Sequence, residues 1–260
     1  MAASYIGFDG VAFAYREEAA PVLSDFSLEV RREEFFLLLG PSGCGKTTVL
    51  NLLAGFERPQ AGRVTVAGRP IAGPGPDRLV VFQGDDSLLG WLSAIENVEF
   101  GLLLQGLPRA ERRARAARAL TMVGLDGQDG KYPGELSGGM KQRVQIARAL
   151  VCDADILLMD EPFAALDAQT RAVLQDELAR IWTETRRTAL FITHDIAEAI
   201  ILGDRIGIMR AGPGSAIKEI IVNDLPRPRH RGDAEFAATY ARIEGIVSEE
   251  VTRTLRRASP

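Results

Sequence analysis

Two kinds of apolar pattern alternate along the chain. Phe26, Leu28 and Val30 are separated by polar residues, and so are Val64 and Val66, which lead into an Ala67-Gly68 turn. A period of two predicts half-exposed antiparallel strands. Other runs are apolar throughout: FFLLL (35–39), LVVF (79–82), ILLM (156–159), ALFI (189–192) and a weaker RIGIM (205–209). Continuous runs this short predict strands buried on both faces, as in a parallel sheet. Helical spacing fills the gaps. Val49, Leu52 and Leu53 follow the first run, Met140, Val144, Ala147 and Val151 share one face before the third, and Leu174, Leu178 and Ile181 precede the fourth. Strands alternating with helices predict an α/β domain.

What ends each buried run matters for function. FFLLL leads to Gly40, LVVF to Gln83, ILLM to Asp160, and ALFI to Thr193 and His194. Ligands of open α/β sheets bind beyond the carboxyl ends of the strands, so these distant residues are expected at one edge. Residues 84 to about 152 carry no buried-strand pattern and read as a helical subdomain inserted into a core spanning residues 1–225. Residues 226–260 form a tail that begins Pro- and Arg-rich (LPRPRHRGD, from Leu225) and ends in a helical stretch from about Ala234 to Arg257.

Composition narrows the class. The chain of 260 residues is 46% hydrophobic and 25% charged, with net charge −4, which is ordinary for a globular protein and unlike a nucleic-acid binder held by bulk charge. The basic run ERRARAARAL (111–120) reads as a solvated helix face. No run approaches the length of a membrane span, and MAASYIGFDG lacks the features of a signal peptide, so a cytoplasmic location is expected. Two cysteines, Cys44 and Cys152, make no disulfide framework and read as small buried residues.

The chemistry starts at GPSGCGKTT, which comprises Gly40, Pro41, Ser42, Gly43, Cys44, Gly45, Lys46, Thr47 and Thr48. It fits G-x-x-x-x-G-K-[ST] between a buried strand and a helix. Backbone N–H groups there would cradle phosphates, Lys46 would reach the β- and γ-phosphates, and Thr47 would hold Mg²⁺. ILLMDE supplies Asp160 for the metal, directly or through water, and Glu161 to polarise an attacking water. His194, at another strand end, is a candidate for γ-phosphate stabilisation, and the carbonyl of Gln83 can ligate metal or water. A second glycine-rich stretch, ELSGGMKQR (135–143), puts Ser137, Gly138 and Gly139 ahead of a helix, another anion-facing arrangement but without a lysine.

Taken together, these residues resemble the nucleotide-binding subunit of ABC transporters. GPSGCGKTT looks like its Walker A motif, Gln83 its Q-loop, LSGGM (136–140) its signature, ILLMDE its Walker B, Ala165-Leu166-Asp167 its D-loop and His194 its switch histidine. Tyr15, which alone would read as core, looks like the aromatic residue that stacks on adenine. The likeness covers about residues 4–222 in the right order. It implies a P-loop NTPase core with a mainly parallel sheet, an antiparallel β subdomain and an inserted helical subdomain. It also implies ATP and Mg²⁺ as cofactors and a head-to-tail dimer of two copies. Each ATP would lie between one copy's P-loop and the other's Ser137, Gly138, Gly139 and Asp167, which explains a second phosphate site without a lysine. Permease subunits in the membrane and, indirectly, a periplasmic solute-binding protein are the implied partners, at the cytoplasmic face of the inner membrane; no nucleic acid is implied.

Finer features, DEPFAALDAQTR (160–171), the LL-x-WLS segment around Trp91, MRAGPG (209–214) and LPRPR (225–229), resemble bacterial importers of nitrate, sulfonates and taurine. Two positions depart from the pattern: Gly90 stands where proline is usual before Trp91, and Ala165 takes the place of the usual small D-loop residue. The alternatives are a soluble ABC ATPase, which would usually carry two such domains or a long coiled coil, and a small-molecule P-loop kinase, which would need neither LSGGM nor the histidine.

Overall fold

The computed structural model describes residues 4–16, 20–84 and 87–258, the side chains only as far as residue 253. Two sheets organise these residues. The smaller is antiparallel, in the order β2-β1-β4-β5, from β1 (Ser4–Phe13), β2 (Leu23–Arg31), β4 (Ala61–Val66) and β5 (Arg69–Pro70). Ala67 and Gly68, at φ 49 and 74, make the hairpin turn joining β4 to β5. The larger sheet has six strands in the order β10-β9-β3-β8-β7-β6. Here β3 (Phe35–Leu39), β6 (Arg78–Val81), β7 (Ile156–Asp160), β8 (Thr188–Thr193) and β9 (Arg205–Met209) run parallel, and β10 (Ile217–Val222) is antiparallel at one edge.

The central strands carry continuous apolar runs because two cores meet across them. Phe36 and Leu38 of β3, Ile156 and Leu158 of β7, and Leu190 and Ile192 of β8 enter one core with the small sheet and α1 (Lys46–Ala54). Their neighbours Phe35, Leu37, Leu39, Leu157, Met159, Ala189 and Phe191 enter the other, under α2 (Ala94–Leu104), α3 (Arg109–Met122), α4 (Gly138–Val151), α5 (Ala168–Thr185), α6 (Ile196–Leu202) and α7 (Ala234–Ala258). A polar residue in the middle of these central strands would be buried without water, so polar residues stand only at their termini, Asp160 on β7 and Thr188 and Thr193 on β8.

Three expectations need correction. LVVF is not buried on both faces: β6 is an edge strand, and only Val81 is fully covered. On α5 the covered positions are Leu174, Gln175, Leu178 and Trp182, so the indole, donating to the Arg187 carbonyl at 2.7 Å, takes the place expected for Ile181. On α4 the covered face is wider than expected: Met140, half-exposed, still packs on the core with Val144, Ala147 and Val151, and Gln142 and Gln145 are buried as well.

The chain between β6 and β7 holds α2, α3 and α4, which pack on one another. The basic run lies on α3, with Arg113 and Arg118 outward, Arg112 largely covered against Glu99, and Ala116, Ala119 and Leu120 inward. Among the described residues no helix is long and apolar enough to cross a membrane. In the parallel register Leu39 pairs with both Thr193 and, across β9, Ile208, while Asp160 pairs with Ile192. The carboxyl ends of β3, β7 and β8 therefore open at one edge of the sheet.

Candidate active site

The loop from Gly40 to Gly45 turns the chain from β3 into α1. Gly43 and Gly45 have φ of 76 and 95. A Cβ on Gly45 would also lie 3.0 Å from Val22 Cγ1 and 3.1 Å from Leu23 Cδ2, so only glycine lets the loop close against β2. The N-terminus of α1 has no side-chain cap and no acidic residue in its first turn. Its free N–H groups and positive dipole end favour an anion there.

Lys46 sharpens that preference. It is only 7% exposed, and its ammonium donates to the carbonyls of Gly40 at 2.7 Å and Pro41 at 3.0 Å. Among the described residues no carboxylate lies within ion-pair distance of it. A covered cation held by carbonyls alone lacks its counter-charge, which a phosphate supplies.

Beside the lysine, Thr47 Oγ1 donates to Asp160 Oδ2 at 2.8 Å. Burial raises the Asp160 pKa, and the Glu161 charge adds to this against the Thr47 hydrogen bond and the Lys46 charge. A hydroxyl and a carboxylate side by side are hard oxygen donors that suit Mg²⁺, an ion that completes its shell with water and phosphate oxygens. Gln83 could supply a third oxygen: its amide nitrogen donates to Glu161 Oε2 at 3.2 Å, which leaves its carbonyl unused in that contact.

Glu161 sits just past β7 at φ 45, a left-handed conformation rare outside glycine, and its N–H donates to the Ile192 carbonyl at 3.0 Å. His194 Nδ1 lies 3.1 Å from the same carboxylate oxygen, with the His194 side chain 65% exposed. The ends of β7 and β8 thus present the carboxylate and the imidazole together. Tyr15 closes the far side, 56% exposed, its ring edge-on to Phe13 at 5.0 Å and its hydroxyl 3.1 Å from Thr48 Oγ1. These groups line one cleft of about 530 Å³ with Val22, Ser42, Gly43 and Gly45.

Ser137, Gly138, Gly139 and Asp167 do not line that cleft. Ser137 caps α4, accepting from the Met140 N–H at 3.3 Å, and stands exposed with Gly138. Asp167 is likewise exposed and caps α5, where the N–H groups of Thr170 and Gln169 hold its pKa down. The two caps belong to one surface: a Cβ on Gly139 would sit 3.5 Å from Leu166 Cδ2 and 3.6 Å from the Ala165 carbonyl.

The comparisons with known proteins agree with this geometry. The family model described as ABC transporter matches residues 23–164. A taurine import ATP-binding protein of Chromobacterium violaceum is 52% identical over 212 residues, covering 82% of this chain and 81% of that protein. The chain belongs to the ABC transporter family. An uncharacterized ABC transporter ATP-binding protein of Methanocaldococcus jannaschii is 47% identical over 244 residues, 94% of this chain and 91% of its own length. A bicarbonate transport ATP-binding protein of Synechococcus elongatus is 48% identical over 220 residues, 84% of this chain but 33% of that longer protein. Among solved structures, a dimeric ATP-binding cassette in a post-hydrolysis state with ADP and Pi superposes with TM-score 0.75 at 30% identity, covering 85% of this chain and all of the other. The fold is that of an ABC ATPase, the ligand is nucleotide, and the activity is ATP hydrolysis by a transporter's ATP-binding subunit.

Within this ABC subunit the side chains of the expected phosphate loop divide. Ser42, Lys46, Thr47 and Thr48 face the cleft with Gly43 and Gly45, whereas Gly40, Pro41 and Cys44 lie behind it. Gly40 and Pro41 serve as acceptors for the lysine, and the Cys44 thiol is buried, its pKa pushed up by that burial. Val22 was not read from the sequence: it is a wall residue just before an amphipathic strand and carries no polar signal. Thr193 was expected only as a polar residue at a strand end; it accepts from the Asp195 N–H at 3.0 Å and so fixes the turn that carries His194.

Proposed function

We propose that this subunit dimerises around two ATP molecules and drives a bacterial importer for a small solute such as nitrate, a sulfonate or taurine. It would work at the cytoplasmic face of the inner membrane, bound to permease subunits served by a periplasmic solute-binding protein. The observation that carries this reading is the separation of the two phosphate-facing elements: the cleft holds Lys46, Thr47, Glu161 and His194, while Ser137 and Gly138 stand exposed on a different surface. A second copy turned head to tail would bring its Ser137, Gly138, Gly139 and Asp167 over this copy's cleft. The dimeric cassette with ADP and Pi supports that arrangement.

In the assembled site Tyr15 stacks on the adenine, and the Gly43–Lys46 backbone and the Lys46 ammonium hold the phosphates. Thr47, Asp160 and the Gln83 carbonyl would hold Mg²⁺, which when bound would supply charge neutralisation at the phosphates. Glu161 accepts a hydrogen bond from the attacking water and aligns it with the γ-phosphate. His194, its Nδ1 toward Glu161, presents Nε2 to the γ-phosphate oxygens as charge shifts off them. Trp91, 75% exposed in the turn before α2, is suited to meeting a permease. The taurine and bicarbonate relatives support a small, polar solute.

Glu161→Gln tests the chemistry. The amide keeps the shape but cannot take up a proton, so turnover should fall at least about 100-fold while ATP still binds. The variant should also accumulate a nucleotide-held dimer in size exclusion. Retention of most of the activity would sink the water-polarising role.

A further inference from the structure

A chain of polar groups, buried beyond its surface arginine, runs from the tail to the residue before His194. Arg231, on the segment between β10 and α7, donates through Nη2 to Gln175 Oε1 at 2.9 Å. Gln175 Nε2 donates to Glu198 Oε1 at 3.0 Å, and Thr193 Oγ1 donates to Glu198 Oε2 at 2.6 Å. Gln175, Glu198 and Thr193 are 0%, 4% and 2% exposed. Each lies on a different element: Gln175 on α5, Glu198 on α6 and Thr193 at the end of β8.

The same tail segment grips α6 a second time. The helix ends with carbonyls that lack intrahelical partners. Arg229 Nη1 donates to the carbonyls of Ile200 at 2.9 Å and Gly203 at 2.7 Å, and Arg227 Nη1 to that of Ile201 at 3.3 Å. Burial pushes the Arg229 pKa down to about 10. Residues 227–231 therefore form a strap across the C-terminal end of α6, the helix that begins two residues after His194.

An apolar core at these positions would hold the helices together as well as a buried carboxylate does. A satisfied polar chain adds a single fixed geometry. It is spent at the strand end where the Ile192 carbonyl receives the Glu161 amide and where the next turn carries His194. Nothing in nucleotide binding requires Glu198.

We propose that Arg231 is a positioning residue for hydrolysis: through Gln175, Glu198 and Thr193, the strap sets the position of His194 over the γ-phosphate. This rests on the reading of His194 given above. The strap is then the place where a tail displaced by any bound partner would slow turnover without loosening nucleotide.

The test uses the full-length chain, steady-state ATPase measurements and melting temperatures. Arg231 lies at the surface, so Arg231→Ala should fold. It should lower kcat about fivefold, change the KM for ATP less than about twofold and scarcely move Tm, while Arg231→Lys should restore most of the rate. Combining Arg231→Ala with Glu198→Gln should cost no more than Glu198→Gln alone, since both break one chain. If Glu198→Gln does not fold, Gln175→Met takes its place in the cycle. An unchanged kcat for Arg231→Ala, additive losses in the double variant, or kcat and Tm falling together without rescue by lysine would each overturn the proposal. His194→Ala is the parallel control. Normal turnover there would overturn the site reading itself; a dead His194→Ala beside a fully active Arg231→Ala would overturn the strap's role alone.

Discussion

The start of α1 and the start of α4 both offer backbone N–H groups behind glycines, yet they are built differently. The first is walled by Val22, Tyr15, Gln83, Glu161 and His194 and holds a covered lysine with no carboxylate partner among the described residues. The second is open, capped by its own Ser137, and lies beside the 165–166 turn. An anion at the first meets charge, dipole and side chains in one cleft; at the second it meets a dipole and a hydroxyl facing solvent. The difference fits the proposal that the second element is half a site, completed across a dimer. Its contribution grows large only when something else excludes water from it.

The strongest way to break the contrast is to remove the charge. Lys46→Ala should cut ATP turnover by at least about 100-fold, while Ser137→Arg should block closure by filling the space for a γ-phosphate. Each variant alone makes a homodimer without a working site. Mixed, they can form one site from the intact P-loop of one chain and the intact Ser137 of the other. Nucleotide-held dimers should reappear in size exclusion with a slowly hydrolysed ATP analogue. No gain on mixing, with both chains folded and exchanging, would mean that the two elements do not meet across a dimer.

Tyr15→Ala should raise the ATP concentration needed for half-maximal rate about 5- to 150-fold, the equivalent of roughly 1–3 kcal/mol of stacking, with a smaller change in kcat. A steady-state titration reads this directly, and an unchanged ATP requirement would return Tyr15 to a purely structural role. The smallest expected effect belongs to Ser137→Ala, which removes the α4 cap and should cost about 1 kcal/mol by denaturant titration. If the isolated chain loses no stability at all, Ser137 is kept for its surface role rather than for α4.

Much of this organisation was legible because burial leaves signatures. The central strands β3, β7, β8 and β9 and the polar residues that end them follow from apolar runs that stop abruptly. β1 was harder: its register shifts between Phe8 and Val11, so Ile6, Phe8, Val11 and Phe13 break the period of two. β10 was not read, since an edge strand tolerates Lys218 and Glu219 among its isoleucines. In the cleft, the groups with distinctive chemistry announced themselves. Val22 and the chain through Gln175 and Glu198 did not, because a wall residue and a buried hydrogen-bonded pair look in sequence like any strand or helix position. The gathering of Ala165 and Leu166 under Gly139 is a tertiary contact with no local signal.

The left-handed backbone at Glu161 has a consequence for the protein's history. A glutamate there carries roughly 1–2 kcal/mol of conformational penalty that glycine would not. Backbone and proposed chemistry therefore pull on this position in opposite directions: glycine would relieve the strain but lose the carboxylate that accepts from Gln83 and faces His194. A lineage released from hydrolysis would no longer be held to glutamate at this strained position.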